Sequence, residues 1–229
     1  MENRNAFKKE TPRHTRPVLK PPVSRYGNNR WFVYSPSLKR QLVLGSDLEH
    51  DEWVRTEAVK KKFFCEQPRR VEVRLPTGIV RTVFDLWIHW DDGTEEYREV
   101  KYSHELEDGA RAIRQVEAQR TWCELHGFKH EVVTEKIIRA NPLYLENWKL
   151  ILRHLAMTSR IDIGPITKVV TRFLLKVGRA TVAMIERVCA SWDQVLVRSA
   201  IFSLLHTHFA KASLDSQVFS RSLYVEVNQ

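Results

Sequence analysis

The sequence predicts an α/β fold whose core runs helix, strand, strand, strand, helix, strand, followed by a helical domain closed by a β-hairpin. Three observations predict it. Two runs rich in Val, Ile, Phe, Trp and Tyr, Val80–Trp90 and Glu95–Tyr102, flank Asp91-Asp92-Gly93, a turn in which glycine accepts the positive φ of a tight hairpin. Helical signals stand on both sides of this hairpin, and a strand follows the second helix. Beyond Pro142 the periodicity is almost wholly helical.

Each element follows from local chemistry. Residues 1–29 mix Pro12, Pro17, Pro21 and Pro22 with basic and polar side chains, a composition that stays extended or disordered until packed on something. This stretch is expected to be a basic, flexible arm. Trp31–Tyr34 and Arg40–Leu44 read as short strands around Ser35-Pro36-Ser37. Ser46 and Glu49 form an S-x-x-E capping box, in which the Glu49 carboxylate reaches back to the Ser46 N–H. The helix they open is expected to run to about Lys62, with Leu48, Trp53 and Ala58 inward.

Phe63–Glu66 starts a strand that Gln67-Pro68 interrupts and Val71–Leu75 resumes, before a turn at Pro76-Thr77-Gly78. A helix is expected over residues 104–126, with Ala110, Ile113, Val116, Ala118, Trp122 and Leu125 inward and Gly127 as its stop. His130–Thr134 is a strand able to join the sheet in parallel, and Glu135–Arg139 begins another helix. Pro142 divides a domain over 30–141 from one over 142–229. The latter is expected to hold helices over Leu143–Met157, Ile166–Leu175, Thr181–Val188 and Gln194–Ala210, then strand residues among Val218, Leu223, Val225 and Val227. The order resembles a winged-helix domain whose last two helices form the helix-turn-helix pair. The final helix either reads DNA through residues such as Arg198 or serves as core through Val195, Ile201, Leu204, Leu205 and Phe209.

The 229 residues carry a net charge of +9, and 43% are hydrophobic, enough for a real core. Residues 1–30 hold eight Lys or Arg against two Glu, so +6 of the excess lies there. A polyanionic partner is implied, nucleic acid first, with Arg25, Arg30, Lys39 and Arg40 as contact candidates; a merely solubilising tail is the alternative. No apolar run approaches the length of a membrane span, and the polar N-terminus lacks a secretory signal. A cytoplasmic protein, nucleoid-associated when active, is therefore expected. Cys65, Cys123 and Cys189 are widely spaced and read as reduced structural thiols rather than zinc ligands.

The chemistry concentrates in the hairpin. Asp85 lies among apolar residues, and fourteen positions on (99 − 85 = 14) comes Glu99-Val100-Lys101. Alternation points Glu99 and Lys101 the same way, with Val100 opposite. A carboxylate removed from water needs a partner or a metal. One reading pairs Asp85 with Lys101 across the strands and leaves Glu99 solvated. The other makes the two carboxylates oxygen ligands of a hard cation, with the ammonium beside a phosphoryl group.

The αβββαβ order with a D…E-x-K hairpin resembles the restriction-endonuclease-like nucleases, in which an acid on the first helix often completes the site; Glu49 occupies that place. The motifs Ser46-Asp47-Leu48-Glu49-His50-Asp51, Cys65-Glu66-Gln67-Pro68, Phe84-Asp85-Leu86-Trp87 and Glu99-Val100-Lys101-Tyr102 resemble, in order and spacing, the TnsA endonuclease family of heteromeric cut-and-paste transposons. The resemblance covers about residues 30–227; a CRISPR-associated transposon is the narrower source expected.

The resemblance implies a Mg²⁺-dependent endonuclease, with Mn²⁺ able to substitute, that nicks double-stranded DNA at the 5′ ends of a transposon. It also implies a DDE-type, TnsB-like transposase as partner and a TnsC-like ATPase regulator contacting the C-terminal part. Carried over by motif, Glu49, Asp85, Glu99 and Lys101 are catalytic, and Glu49, Asp85, Glu99 and the Val100 carbonyl are metal ligands. The better-known family pattern has glutamine where Glu99 stands, so the metal role of Glu99 is not inherited. Glu66 and Gln67 are site-lining or structural. A stand-alone restriction or repair nuclease and a non-enzymatic DNA-binding adaptor are the competing readings.

Overall fold

The structure, a computed structural model, describes residues 12–19 and 29–228; Arg25 and most of the N-terminal arm lie outside the described residues. The chain folds into two compact units. The first comprises Met1–Pro21, Lys61–Glu99 and Asp108–Val132, and the second Pro22–Lys60, Val100–Glu107 and Val133–Gln229, as far as these are described. The units therefore cut across the boundary at Pro142 that the sequence suggests.

In the first unit the expected three-stranded meander is a kinked one. The chain forms β3 (Phe63–Glu66), β4 (Arg70–Leu75), β5 (Gly78–Val83), β6 (Leu86–His89) and β7 (Glu95–Val100), after β1 (Trp31–Ser35) and β2 (Arg40–Leu44) of the other unit. Val80–Trp90, expected as one strand, is broken at Phe84-Asp85. Its first half pairs with β4 as a separate ribbon and its second half pairs with β3 and β7. The break has a register cause. Arg70 pairs with Val83 and Glu66 with Leu86, so four steps on one strand (70 − 66) face three on the other (86 − 83). One extra residue on one strand is a β-bulge, which bends the pair and re-aims its side chains. Gln67 takes φ +42° there, and Pro68 has no N–H to give to a ladder.

Strand β8 (Lys129–Val133) completes a sheet of order β3-β6-β7-β8. Lys129 pairs with Glu96 at 2.9 Å and Arg98 with Glu131 at 3.3 Å. The partners advance in the same sense along both strands, as the crossover helix between them requires for a parallel pair.

That helix is two: α2 (Ser103–Asp108) and α3 (Ala110–His126), parted at Gly109, after α1 (Asp47–Ala58). Ile113 and Leu125, expected inward, are 46% and 76% exposed. The buried positions of α3 are instead Ala112, Val116, Ala118, Gln119, Trp122 and Cys123. Ala110, also expected inward, is exposed; the inward face is narrower than the apolar pattern suggests because a polar residue, Gln119, occupies part of it. Ala118, Trp122 and Cys123 join Val71, Val73, Leu75, Phe84, Trp87 and Tyr97 in the core. Gly127 ends α3 at φ +71° as expected. The described part of the arm is packed: Arg13 pairs with Glu95 at 2.6 Å, His14 bonds the Tyr97 hydroxyl at 2.7 Å, and the Val18 N–H donates to the Gln67 carbonyl at 2.9 Å.

In the second unit β1 and β2 form a hairpin. Helix α1 ends at Ala58, short of Lys62, and its buried acids each have a basic or hydroxyl partner. Glu52 meets Arg55, Asp51 meets Arg139 and Lys149, and Glu57 meets His206 and Ser37. Burial pushes the Asp51 carboxyl up, but hydrogen bonds from His50, Lys149 and Arg139 outweigh it and hold the group well below its usual range. After the short α4 (Glu135–Ile138) come α5 (Pro142–Met157), α6 (Gly164–Val177), β9 (Arg179–Thr181), α7 (Val182–Val188), α8 (Gln194–His206), β10 (Ala210–Lys211) and β11 (Tyr224–Val227). Strand β11 lies between β10 and β9, antiparallel to both. The sequence missed β9, and Val218, expected in a strand, is 66% exposed outside one. Helix α8 buries Val197, Ala200, Ile201, Phe202, Leu204 and Leu205, whereas Val195 is exposed. Cys65, Cys123 and Cys189 are buried free thiols. Among the described residues no helix is long and apolar enough to cross a membrane.

Burial pushes the His130 imidazole down to about 4, with Arg120 adding repulsion. Burial, then Arg13 and Arg69, does the same to His14. Both are neutral in the fold and titrate near 6.5 when unfolded. The unfolded chain then binds more protons below pH 6.5, so stability is full above that pH and lost as pH falls toward 4. Lowered carboxyls such as Asp51 and Glu95 act only below their ordinary pKa. Between pH 6.5 and 4.5 the urea midpoint should fall, and His130→Gln should remove part of that fall, on the order of 1 kcal/mol after solvent screening.

Candidate active site

Asp85 is held by its backbone at the kink. Its carbonyl accepts the Gln67 N–H at 2.8 Å and its N–H donates to the Arg98 carbonyl at 3.1 Å. The left-handed Gln67 directs its N–H to this carbonyl, so the Glu-Gln-Pro motif acts through backbone. Glu66 is 2% exposed and belongs to the interior. The regular β6–β7 ladder ends where Leu86 faces Arg98, and the Asp85 N–H goes to that same Arg98 carbonyl, so Asp85 stands at the bend just outside the ladder register. Asp85 and Glu99 thus both belong to the first unit, each next in sequence to a member of the Leu86–Arg98 pair.

Glu99 is not the solvated edge residue that the ion-pair reading required. It has no exposed surface. Its Oε1 accepts from Gln115 Nε2 and its Oε2 from Gln119 Nε2, both at 2.6 Å. Gln119 Nε2 also approaches Thr82 Oγ1 at 3.1 Å and the Val83 carbonyl at 3.3 Å, while its Oε1 lies 3.2 Å from His130 Nε2. Because the Gln119 oxygen can only accept, His130 donates from Nε2, which its depressed pKa allows. Sequence reading missed Gln115 and Gln119. The signal was their spacing of four on one helix, with Gln119 inside an apolar face.

Lys101 and Glu49 belong to the second unit. The Lys101 N–H donates to the Val133 carbonyl at 3.1 Å. Val100 and Tyr102, on either side of it, pack with Leu48, Val133 and Ile138, so Lys101 and Glu49 are each one residue from the same apolar cluster. Ser46 Oγ accepts the Glu49 N–H at 3.1 Å, and Glu49 Oε2 accepts from the Gly45 N–H at 3.0 Å. The capping box therefore forms, but its return bond goes to Gly45 rather than Ser46. A Cβ on Gly45 would lie 3.1 Å from Glu49 Oε1, so glycine there leaves room for the carboxylate.

Of the phosphate-contact candidates, Lys39 is exposed on the β1–β2 turn with φ +53°. Arg40 donates to the Gln41 carbonyl at 3.3 Å, and Arg30 has one guanidinium nitrogen buried without a hydrogen-bond partner. Arg198 is bonded to Glu186 at 2.9 Å.

Among the described residues no three His, Cys, Asp or Glu side chains form a ready metal cluster. The donors of the first unit still suit a hard cation. Mg²⁺ is commonly held by one or two carboxylates, completing its shell with water and substrate phosphate, and Asp85 and Glu99 are side chains of that chemistry.

A mixed α/β unit with a kinked central hairpin is consistent with a restriction-endonuclease-like fold. Residues 60–135 match the family model described as TnsA-like endonuclease N terminal, so this part of the chain is a TnsA-like endonuclease domain. The match takes in the bulge, Asp85, Glu99, Lys101 and helix α3; it covers 76 residues (135 − 60 + 1) of 229. A search of curated proteins found no match to the chain.

Gln119→Leu should lower stability by about 2 kcal/mol, because it removes a donor from a buried carboxylate. Adding Glu99→Gln should recover part of the loss, since a buried amide is less costly to leave short of a partner. Urea unfolding of the single and double variants measures both.

Proposed function

We propose that the protein is the metal-dependent endonuclease subunit of a heteromeric transposase, nicking DNA at the 5′ ends of a transposon so that the element leaves by cut-and-paste. The observation that carries this is the TnsA-like endonuclease match across the segment that holds the bulge, Asp85 and Glu99. Asp85 and Glu99, with the Val100 carbonyl, would hold Mg²⁺, or Mn²⁺ in its place. Bound there, the metal supplies neutralising charge at the phosphate and a lowered pKa for water. Gln115 and Gln119 fix the Glu99 carboxylate. The motif, not a placement between the units, would give Lys101 to the scissile phosphate or the attacking water, and Glu49 to orienting that water or supplying a further oxygen. Products are a 5′-phosphate and a 3′-hydroxyl.

The same reading assigns recognition of the ends to a DDE-type, TnsB-like transposase and regulation to a TnsC-like ATPase. The protein would act in the cytoplasm on the nucleoid. The C-terminal order α6, β9, α7, α8, β10, β11, with the last strand between the other two, supports a winged-helix assignment. Helix α8 is largely interior, which favours a structural role for it over base reading.

Strand-specific mapping on transposon-end DNA, with and without the transposase, tests the proposal. Nicks at the 5′ ends should need Mg²⁺ or Mn²⁺ and the partner, and should fall at least about 100-fold in Asp85→Ala and Lys101→Ala while circular dichroism is unchanged. An Asp85→Ala protein that still nicks would defeat the site assignment. Cutting without partners would favour a stand-alone nuclease.

A further inference from the structure

Helix α6 carries two rows of side chains four residues apart. Ile166, Val170 and Leu174 are 1% exposed or less. Lys168, Arg172 and Lys176 are all exposed. The rows are offset by two residues, which is about 200° around a helix of 3.6 residues per turn, so they lie on opposite sides. The apolar row is core. The basic row is what the function described so far leaves unused.

An amphipathic helix needs only a polar outer face, so exposed lysines alone would mean little. Three features separate this row from ordinary solvation. Like charges at i, i+4 destabilise a helix by a few tenths of a kcal/mol per pair, and here there are two such pairs. The sequence has no Asp or Glu between Asp162 and Glu186, while Arg179 adds a fourth cation to that stretch. Elsewhere many basic residues are matched to acids, as Arg139 and Lys149 are to Asp51, Arg198 and Arg221 to Glu186, and Lys129 to Glu96, and exposed cations such as Arg74, Arg111 and Arg187 stand singly on separate elements. Among the described residues Lys168, Arg172 and Lys176 have no carboxylate partner. Their repeat of about 6 Å along the axis makes a straight ladder of cations of the kind that follows a phosphate backbone.

We propose that this face of α6 is a sequence-independent docking surface for the phosphate backbone of duplex DNA. The proposal rests on the reading of the protein as a DNA endonuclease, and it places the DNA contact of the C-terminal helices on α6, not on Arg198 of α8.

The test is equilibrium binding of a fluorescent random-sequence duplex of about 30 base pairs to the full chain in EDTA, with salt varied from about 50 to 200 mM. The variant Lys168→Gln/Arg172→Gln/Lys176→Gln is compared with Arg74→Gln/Arg111→Gln/Arg187→Gln, which removes the same charge from exposed positions on both units. Each lost phosphate contact lowers the log–log salt slope by about 0.9, so the α6 variant should lose about 2.7. Across that salt range its affinity should change about 40-fold less than that of the wild type, with the scattered variant close to wild type. An unchanged slope in the α6 variant overturns the proposal, and so does an equal change in both variants. If the α6 variant instead keeps its DNA binding and loses binding of polyglutamate, the surface belongs to an acidic protein and the proposal fails. The assay involves no cleavage, so it is read independently of whether Asp85 and Lys101 prove catalytic.

Discussion

A carboxylate with no exposed surface lies at the heart of the endonuclease domain, and the packing around it answers to its needs. Desolvating Glu99 would be costly in an apolar surrounding. Amides from Gln115 and Gln119 meet its two oxygens, which ties strand β7 to helix α3. Gln119 extends the tie to Thr82, to the Val83 carbonyl and to His130. A polar network of this kind is rigid when fully satisfied and disruptive when not, so the helix, the hairpin and the last strand are fixed in mutual register by one acid.

The second constraint is the extra residue at Gln67-Pro68. Without it, β3–β4 and β5–β6 would run as one continuous hairpin. With it, the pair bends, and Asp85 emerges at the bend with its backbone clamped from both neighbours. The same residues thus end one sheet, begin a ribbon and set Asp85 at the bend. A bulge next to a functional residue is a common device, because it re-aims one side chain while leaving the ladder on either side intact.

Charge is distributed by the same logic. Where an acid is buried, as at Asp51, Glu57, Glu96 and Glu186, bases or hydroxyls are brought to it. The net positive balance therefore does not lie evenly over the structure. Six of the nine excess charges belong to residues 1–30, and α6 is a further stretch where the sequence places cations in succession and supplies nothing to neutralise them.

The sequence by itself determined the elements with short-range causes. The capping residues Ser46 and Gly127, the Asp91–Gly93 turn and the helices after Pro142 follow from neighbours within a few positions, and the spacing of Asp85 and Glu99-Val100-Lys101 is legible as a motif. Tertiary structure alone decided what depends on long-range pairing. The bulge is visible only when β3 and β4 are set against β5 and β6, since a register offset is a property of two strands. Glu99 became an interior residue because a helix sixteen and more positions away covers it, and Gln115 and Gln119 acquired their role for the same reason. Likewise β9 is three residues long and exists because β11 returns to pair with it, which no local pattern of so short a segment can announce.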